Sequence, residues 1–377
     1  MQDLTAKYFF FFFLNSVFLV LINFLSYRIH ILLMYSEIFI KFCKERNIKK
    51  STQTGYESAL SKYTNLHKMP LEDLLDEAIC EENNLVPLKK RKIKKRLLDF
   101  RSYLFSTDLS PNSVRTYFTK VLTFYMHFEV EIPNIPQAKY DKLYEISYND
   151  LPTKRHIREA VEASSADMKA IILFMASSGS AKAETLSLTV GDFVMATREY
   201  HNGGDLPSIL NRLEGLDGII PTFYLKRIKT GKYYYTFCSP EATRYIIRYL
   251  KSRFDLSFED KLFDISDSKL LNNFQQINDD LKWGFKGKYR FFRSHTLRKF
   301  HASNIGIAAE YIDSLQGRGK NIIHETYIKT NPEKLKELYK SVVGNVEIFS
   351  SPEDNTVTQE FNIVINVFLA GKEYNII

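Results

Sequence analysis

The chain has 377 residues, 45% hydrophobic and 25% charged, enough to bury the cores of about two or three ordinary domains. With only 15 Gly, 11 Pro and 3 Cys, it is neither collagen-like nor a disulfide scaffold, and its apolar content excludes a wholly disordered chain. The formal charge of +8, from 52 Lys+Arg against 44 Asp+Glu, favours a polyanionic partner, and nearly all of that excess sits in one place: between Lys89 and Arg101 eight basic residues face the single acid Asp99.

Residues 8–27 (YFFFFFLNSVFLVLINFLSY) carry no formal charge and are long enough to span a bilayer, although Asn15, Asn23 and two serines interrupt the apolar run. Three readings stand for residues 1–34: a membrane anchor, a signal segment, or sequence upstream of a start at Met34, which immediately precedes the first ordinary amphipathic stretch. Cys43, Cys80 and Cys238 are odd in number and far apart. They read as buried or incidental thiols of a reducing cytoplasm, with no disulfide or metal role.

From 35 to 136 the pattern is helical. Ile38, Phe39, Phe42 and Cys43 repeat at helical spacing, and Tyr56, Leu60 and Tyr63 form a second stripe after the cap-like pair Ser51 and Thr52. In the basic segment Ile93, Leu97, Phe100 and Leu104 fall on one face of a helix, leaving Lys89, Lys90, Arg91, Lys92, Lys94, Lys95 and Arg96 to the others. After the break at Pro111, Val114, Tyr117, Val121, Tyr125 and Phe128 make a further buried stripe, with Arg115 and Lys120 turned outward. The expectation is a bundle of about four helices with its cationic surface on one member.

Pro133 and Pro136 cannot continue a helix, so 137–150 reads as a linker to a second unit, 151–345. That unit opens with helices over 154–163 and 167–177. Aromatic and β-branched runs at 219–227 and 233–237 then flank the turn IKTGK, which predicts a β-hairpin. Leu270, Leu271, Phe274, Ile277 and Leu281 return to helical spacing. The fold class is mainly α with a small β-sheet: a helical domain followed by an α+β domain. In the tail, 346–377, the apolar run FNIVINVFLA reads as an extra strand.

Chemistry is signalled by an ordered set. His295-Thr296-Leu297-Arg298 is weak by itself, but Lys229 precedes it at the tip of the hairpin and Tyr327 follows it in LQGRGKNIIHETYIK. Upstream lies Ser178-Gly179-Ser180-Ala181-Lys182-Ala183-Glu184-Thr185-Leu186-Ser187-Leu188. These parts, in this order, resemble the tyrosine recombinase (phage integrase) family over residues 35–345. The resemblance implies that 35–136 is the helical core-binding (SAM-like) domain and 151–345 the catalytic domain. It implies Tyr327 as nucleophile, His295 and Arg298 as the HxxR pair, Lys229 as the hairpin lysine, and Arg318 at a position commonly His or Trp. It further implies a site-specific DNA recombinase or integrase of a mobile element in a bacterium or archaeon. Such an enzyme acts on double-stranded DNA attachment sites as a homotetramer, without metal or cofactor. Tails like 346–377 often pack on a neighbouring protomer in this family; an edge strand of the chain's own domain is the other reading.

The chemistry fits those residue types. A tyrosine hydroxyl attacks a phosphodiester to form a 3′-phosphotyrosyl bond and expel a 5′-hydroxyl. Arginine forks clamp the nonbridging oxygens, lysine protonates the leaving oxygen, and histidine exchanges a proton with the nucleophile or orients it. One departure stands out: the spacing back from Glu184 places Ala181 where the family has its first arginine, with Lys182 the nearest cation. A lysine offers a point charge and no planar fork, and loss of one clamp costs about a hundredfold in rate. The alternative is therefore a catalytically degenerate relative that binds its DNA site. Tyr311 is expected in the core with Ile307 and Leu315, and His301 and His324 behind or beside the site. The basic run, with Arg115 and Arg293, is expected to contact the DNA backbone.

Overall fold

The computed structural model describes residues 36–138, 147–318 and 331–349 and the strands Ile365–Leu369 and Lys372–Ile376. Residues 1–34, His324 and Tyr327 lie outside the described residues. Two compact units divide at Tyr144/Glu145.

In the first unit α1 (Glu37–Glu45) is capped by Ser36, whose hydroxyl accepts from the Phe39 amide at 3.2 Å. α2 (Lys50–His67) has Lys49 at its N-cap, so Ser51 and Thr52 lie inside its first turn and do not cap it. α3 (Leu71–Asn83), α4 (Lys92–Phe105) and α5 (Pro111–His127) bring the bundle to five helices among the described residues, where about four were expected. Ser110 caps α5 ahead of a first-turn proline. Ile93, Leu97, Phe100 and Leu104 are all buried, as their spacing requires. On α5 the buried set is Val114, Val121, Phe124 and Tyr125, while Tyr117 and Phe128 are half-buried. The core includes a polar link between the hydroxyls of Tyr63 and Tyr125 at 3.1 Å.

The second unit begins with the short turn Tyr148–Asp150, which the expected linker had included. α6 (Lys154–Glu162) leads to α7 (Ala166–Ser178), in which every residue from Ala170 to Ser178 is buried. A helix apolar all round belongs in the middle of a domain, and α7 packs against α6, α11 (Pro240–Lys251) and α13 (Ser294–Asn304). Between them run α8 (Lys182–Ser187), α9 (Val190–Ala196) and α10 (Leu206–Glu214). The predicted hairpin forms from β1 (Thr222–Lys226) and β2 (Tyr233–Phe237), antiparallel with Leu225 opposite Tyr234. Phe223, Leu225, Tyr234 and Thr236 are buried while Tyr224 and Tyr233 face out, the alternation a half-buried ribbon demands. α12 (Asp267–Asp280), the short hairpin β3 (Phe285–Lys286) and β4 (Tyr289–Arg290), α14 (Ala309–Leu315) and α15 (Pro332–Val342) follow.

The packed structure continues past the expected boundary at 345. Val346 and Ile348 are fully buried, and the amides of Ile348 and Phe349 donate to the Glu241 carboxylate at 2.7 and 3.0 Å. The tail strand is one half of a hairpin, β5 (Ile365–Leu369) pairing antiparallel with β6 (Lys372–Ile376). Tyr311 is 38% exposed, contrary to its expected core position, because the buried side chain of its short helix is Leu315. Among the described residues no helix is long and apolar enough to cross a membrane.

Candidate catalytic site

Three chain segments far apart in sequence meet at Arg298. It sits in the second turn of α13, whose start is fixed by the Thr296 hydroxyl: Thr296 Oγ1 accepts from the Arg293 amide at 3.1 Å and donates to the Phe291 carbonyl at 3.2 Å. The Arg298 guanidinium is buried, donating from Nη1 to the Gly179 carbonyl at 2.6 Å and from Nη2 to the Gln316 carbonyl at 2.7 Å. Gln316 answers with its own amide, donating to the Arg298 carbonyl at 3.1 Å and to His301 Nδ1 at 3.0 Å. The end of α7, the start of α13 and the end of α14 are thus tied through one side chain. Burial, and next the nearby guanidinium of Arg227, pull the Arg298 pKa down to about 10, so it stays charged at neutral pH.

Two glycines make this closeness possible. Gly179 ends α7 at φ +64°, and a Cβ there would stand 2.6 Å from His301 Nδ1 and 2.7 Å from Gln316 Nε2. Gly317, at φ +58°, would drive a Cβ to 2.5 Å from the Tyr234 ring. His301 is fully buried, and burial, then Arg298 and Arg318, hold its pKa down at about 3. It is a neutral supporting residue.

Glu184, on α8, is also buried. Its Oε1 accepts from Arg227 Nη1 at 2.8 Å and from the Ile228 amide at 3.1 Å, which pins the hairpin to α8. Tyr234, on β2, belongs to the same neighbourhood: burial, then the Glu184 charge, push its pKa up to about 12, so the phenol keeps its proton. Glu184 Oε2, Tyr234 Oη and Ser180 Oγ are buried in this neighbourhood, and the Ser180 hydroxyl offsets part of the rise at Tyr234.

The remaining expected residues are placed as follows. His295 has an exposed edge, and its pKa is lowered by partial desolvation and then by Arg293, Lys299, Arg298 and Arg318, which favours the neutral imidazole. Arg318 is exposed and lies 3.6 Å from Asp313. Lys229 is exposed in the turn joining β1 to β2. Lys182 is not available in the way its sequence position suggested: its ammonium is paired with Asp267 on α12 at 2.6 Å. Arg293 lies half-buried with its guanidinium carbon 4.4 Å from the Tyr289 ring centroid, a stacked cation rather than a projecting one. Arg227, Gln316 and Tyr234 were not anticipated. Arg227 is one of several cations around the hairpin turn, and nothing in its spacing singles it out.

In the first unit the basic run is split. Arg91 pairs with Glu82 at 2.6 Å and Glu131 at 3.2 Å. Glu77 takes both Lys92, at 2.9 Å, and Arg96, at 2.5 Å. The run is therefore not uniform in its intrachain partners. Lys89, Lys90, Lys94 and Lys95 stand outside these ion pairs, and Arg115 is exposed on α5.

No protein-family model matches the sequence, and no curated protein sequence matches it. Among solved structures, the chain is similar to the Tn1549 transposon integrase in complex with transposon right end DNA, at 13% identity over 81% of this chain and 98% of that one, with a TM-score of 0.47. It is similar to the XerH site-specific recombinase bound to difH substrate, at 17% identity over 79% and 82%, with a TM-score of 0.43. A lambda integrase tetramer bound to a Holliday junction matches at 14% identity over 78% of each chain, also with a TM-score of 0.43. With likenesses this distant, function is read from the side chains.

Proposed function

We propose that this chain is a tyrosine recombinase, a DNA strand transferase that cuts and rejoins duplex DNA at specific sites through a 3′-phosphotyrosyl bond to Tyr327. One observation carries the reading. Gly179, at the head of the segment that carries Glu184, and Gln316 of the QGR segment both hold Arg298 of the HxxR pair, three parts that the resemblance assigns to one site. Residues with only a bland surface role have no reason to meet in this way.

The steps follow from the groups available. Arg298 keeps three of its five N–H donors beyond the two carbonyl bonds, and with these it clamps the scissile phosphate at a nonbridging oxygen. Neutral His295 accepts the proton of the Tyr327 hydroxyl as its oxygen attacks phosphorus. The P–O5′ bond breaks, and the Lys229 ammonium supplies a proton to the leaving 5′ oxygen. Arg318 adds positive potential where the phosphorane charge develops. The phosphotyrosyl bond conserves the energy of the broken diester, so a 5′-hydroxyl from another strand reverses the step without ATP. Exchanging two duplexes takes four such cuts, one per protomer, which is why the working unit is a homotetramer on DNA. In the first unit Lys89, Lys90, Lys94 and Lys95 hold the backbone of the site. The reading places the protein in the reducing compartment that holds DNA.

Ala181 favours the second reading, a relative that binds DNA without cleaving it. The experiment incubates the full chain with nicked suicide duplexes, enriched from a random pool for binding, and resolves the products on a denaturing gel. A protein–DNA adduct that disappears in Tyr327→Phe supports the recombinase. Tight, selective binding with no adduct would establish the binding-only relative.

A further inference from the structure

The phosphorane formed in this reaction has two nonbridging oxygens, and a single fork from Arg298 serves one side of it. The backbone position that the resemblance gives to the second fork holds Ala181, which has no donor, and the adjacent Lys182 is committed to Asp267. What stands at Glu184 is a guanidinium that arrives from the other direction. Arg227 leaves the end of β1, with its amide donating to the Lys232 carbonyl across the hairpin, and meets buried Glu184 with Nη1. The Ile228 amide holds the same carboxylate oxygen, so Glu184 is fixed from two sides and in turn fixes Arg227. The Arg227 side chain is 18% exposed, against 2% for Glu184, so the carboxylate lies beneath and the guanidinium toward solvent.

The charge pattern asks for an anion. Arg298 is held at Gly179 and Arg227 at Glu184, five residues apart on one short segment, and the Arg227 charge disfavours that of Arg298. The rest of the neighbourhood is polar: Ser180 Oγ, Tyr234 Oη and Glu184 Oε2 are buried there. Both guanidiniums retain N–H donors beyond the bonds described.

Building on the recombinase reading, we propose that Arg227 is the second phosphate-clamping arginine of the site, supplied from the β-hairpin in place of the residue missing at Ala181, with Glu184 as its positioning carboxylate. A phosphate arriving between Arg227 and Arg298 then has a fork on each nonbridging oxygen. Ala181 on this account marks a relocated guanidinium and not a lost activity.

The test measures adduct formation by the full chain on two suicide duplexes, one with an ordinary scissile phosphate and one with a methylphosphonate, which lacks one nonbridging charge. Arg227→Lys keeps a cation against Glu184 and so guards against misfolding, while removing the fork. Expected is a loss on the order of 10²–10³-fold on the phosphate duplex, shrinking at least tenfold on the methylphosphonate, with duplex affinity little changed. Ala181→Arg placed in the Arg227→Lys background should recover part of the loss. Cleavage by Arg227→Lys within threefold of wild type would overturn the proposal while leaving the recombinase standing, as would an equal defect on both duplexes, which marks a structural role. Absence of adduct from the wild type, with binding intact, would overturn the recombinase reading and this role with it.

Discussion

Gly179→Ala should loosen the second unit and the candidate site together. Two costs arise at this position. An alanine at φ +64° pays the left-handed penalty of about 1–2 kcal/mol. Its Cβ would stand 2.6 Å from His301 Nδ1 and 2.7 Å from Gln316 Nε2, both on fully buried side chains, and relieving such overpacking costs a further 1–3 kcal/mol or so. The expected loss is about 2–5 kcal/mol. Gly203→Ala isolates the first cost, since Gly203 has φ +83° and nothing within 4 Å of its added Cβ. Urea unfolding followed by Trp283 fluorescence measures both variants, because Trp283 is the only tryptophan and packs in the second unit against Phe291 and Phe292. Since His301 and Gln316 position Arg298, adduct formation should fall in Gly179→Ala and hold in Gly203→Ala. Equal destabilisation by the two substitutions would refute the steric reasoning.

His301 makes the second unit acid-sensitive. Its folded pKa of about 3 lies below the ordinary unfolded value near 6.5, so between these limits the unfolded chain binds the extra proton. Stability is therefore complete above pH 6.5 and falls by about 1.4 kcal/mol per unit as pH drops toward 3. In His301→Gln that component of the slope should vanish, and urea midpoints between pH 7 and 5 check it; an unchanged slope would count against the assignment. In the first unit the split of the basic run predicts opposite outcomes for neighbouring cations. Lys94→Ala or Lys95→Ala should lower the slope of log K for DNA against log salt by about 0.9 each and leave stability alone. Arg96→Ala, which removes the partner of Glu77, should destabilise the bundle by about 1–2 kcal/mol with a smaller effect on the salt slope. Anisotropy titrations at several salt concentrations and thermal melts separate the two, and identical behaviour of Arg96 and Lys95 would contradict the split.

What the sequence reveals is what period and local chemistry encode. The stripe Ile93, Leu97, Phe100, Leu104 needs only the 3.6-residue repeat, and the hairpin needs only two β-rich runs around IKTGK, so both are found where the pattern puts them. The cap of α2 is missed by two residues because the side chains of Ser51 and Thr52 look like caps while the backbone turns at Lys49. Long-range pairing leaves no such trace. Glu77 and Arg96 are neighbours only through the crossing of α3 and α4, and Lys182 meets Asp267 only because α12 returns beside α8. Gln316 contributes a main-chain oxygen, to which any residue type is entitled, and Arg227 is hidden among Lys226, Lys229 and Lys232. The resemblance points to His295, Arg298 and Lys229 as candidates; the ties that hold Arg298 leave no mark in the sequence.

The acids on α3 set how strongly the first unit can grip a polyanion. Glu77 withholds two cations from the open face of α4, and Glu82 and Glu131 withhold a third, so the bundle gives up adhesive strength for cohesion. On the proposed function, a protein that searches for one site among many must release the wrong ones quickly, and a run of eight unpaired cations would slow every release. Neutralising Glu77 would shift that balance toward tighter, less discriminating adhesion and a softer bundle.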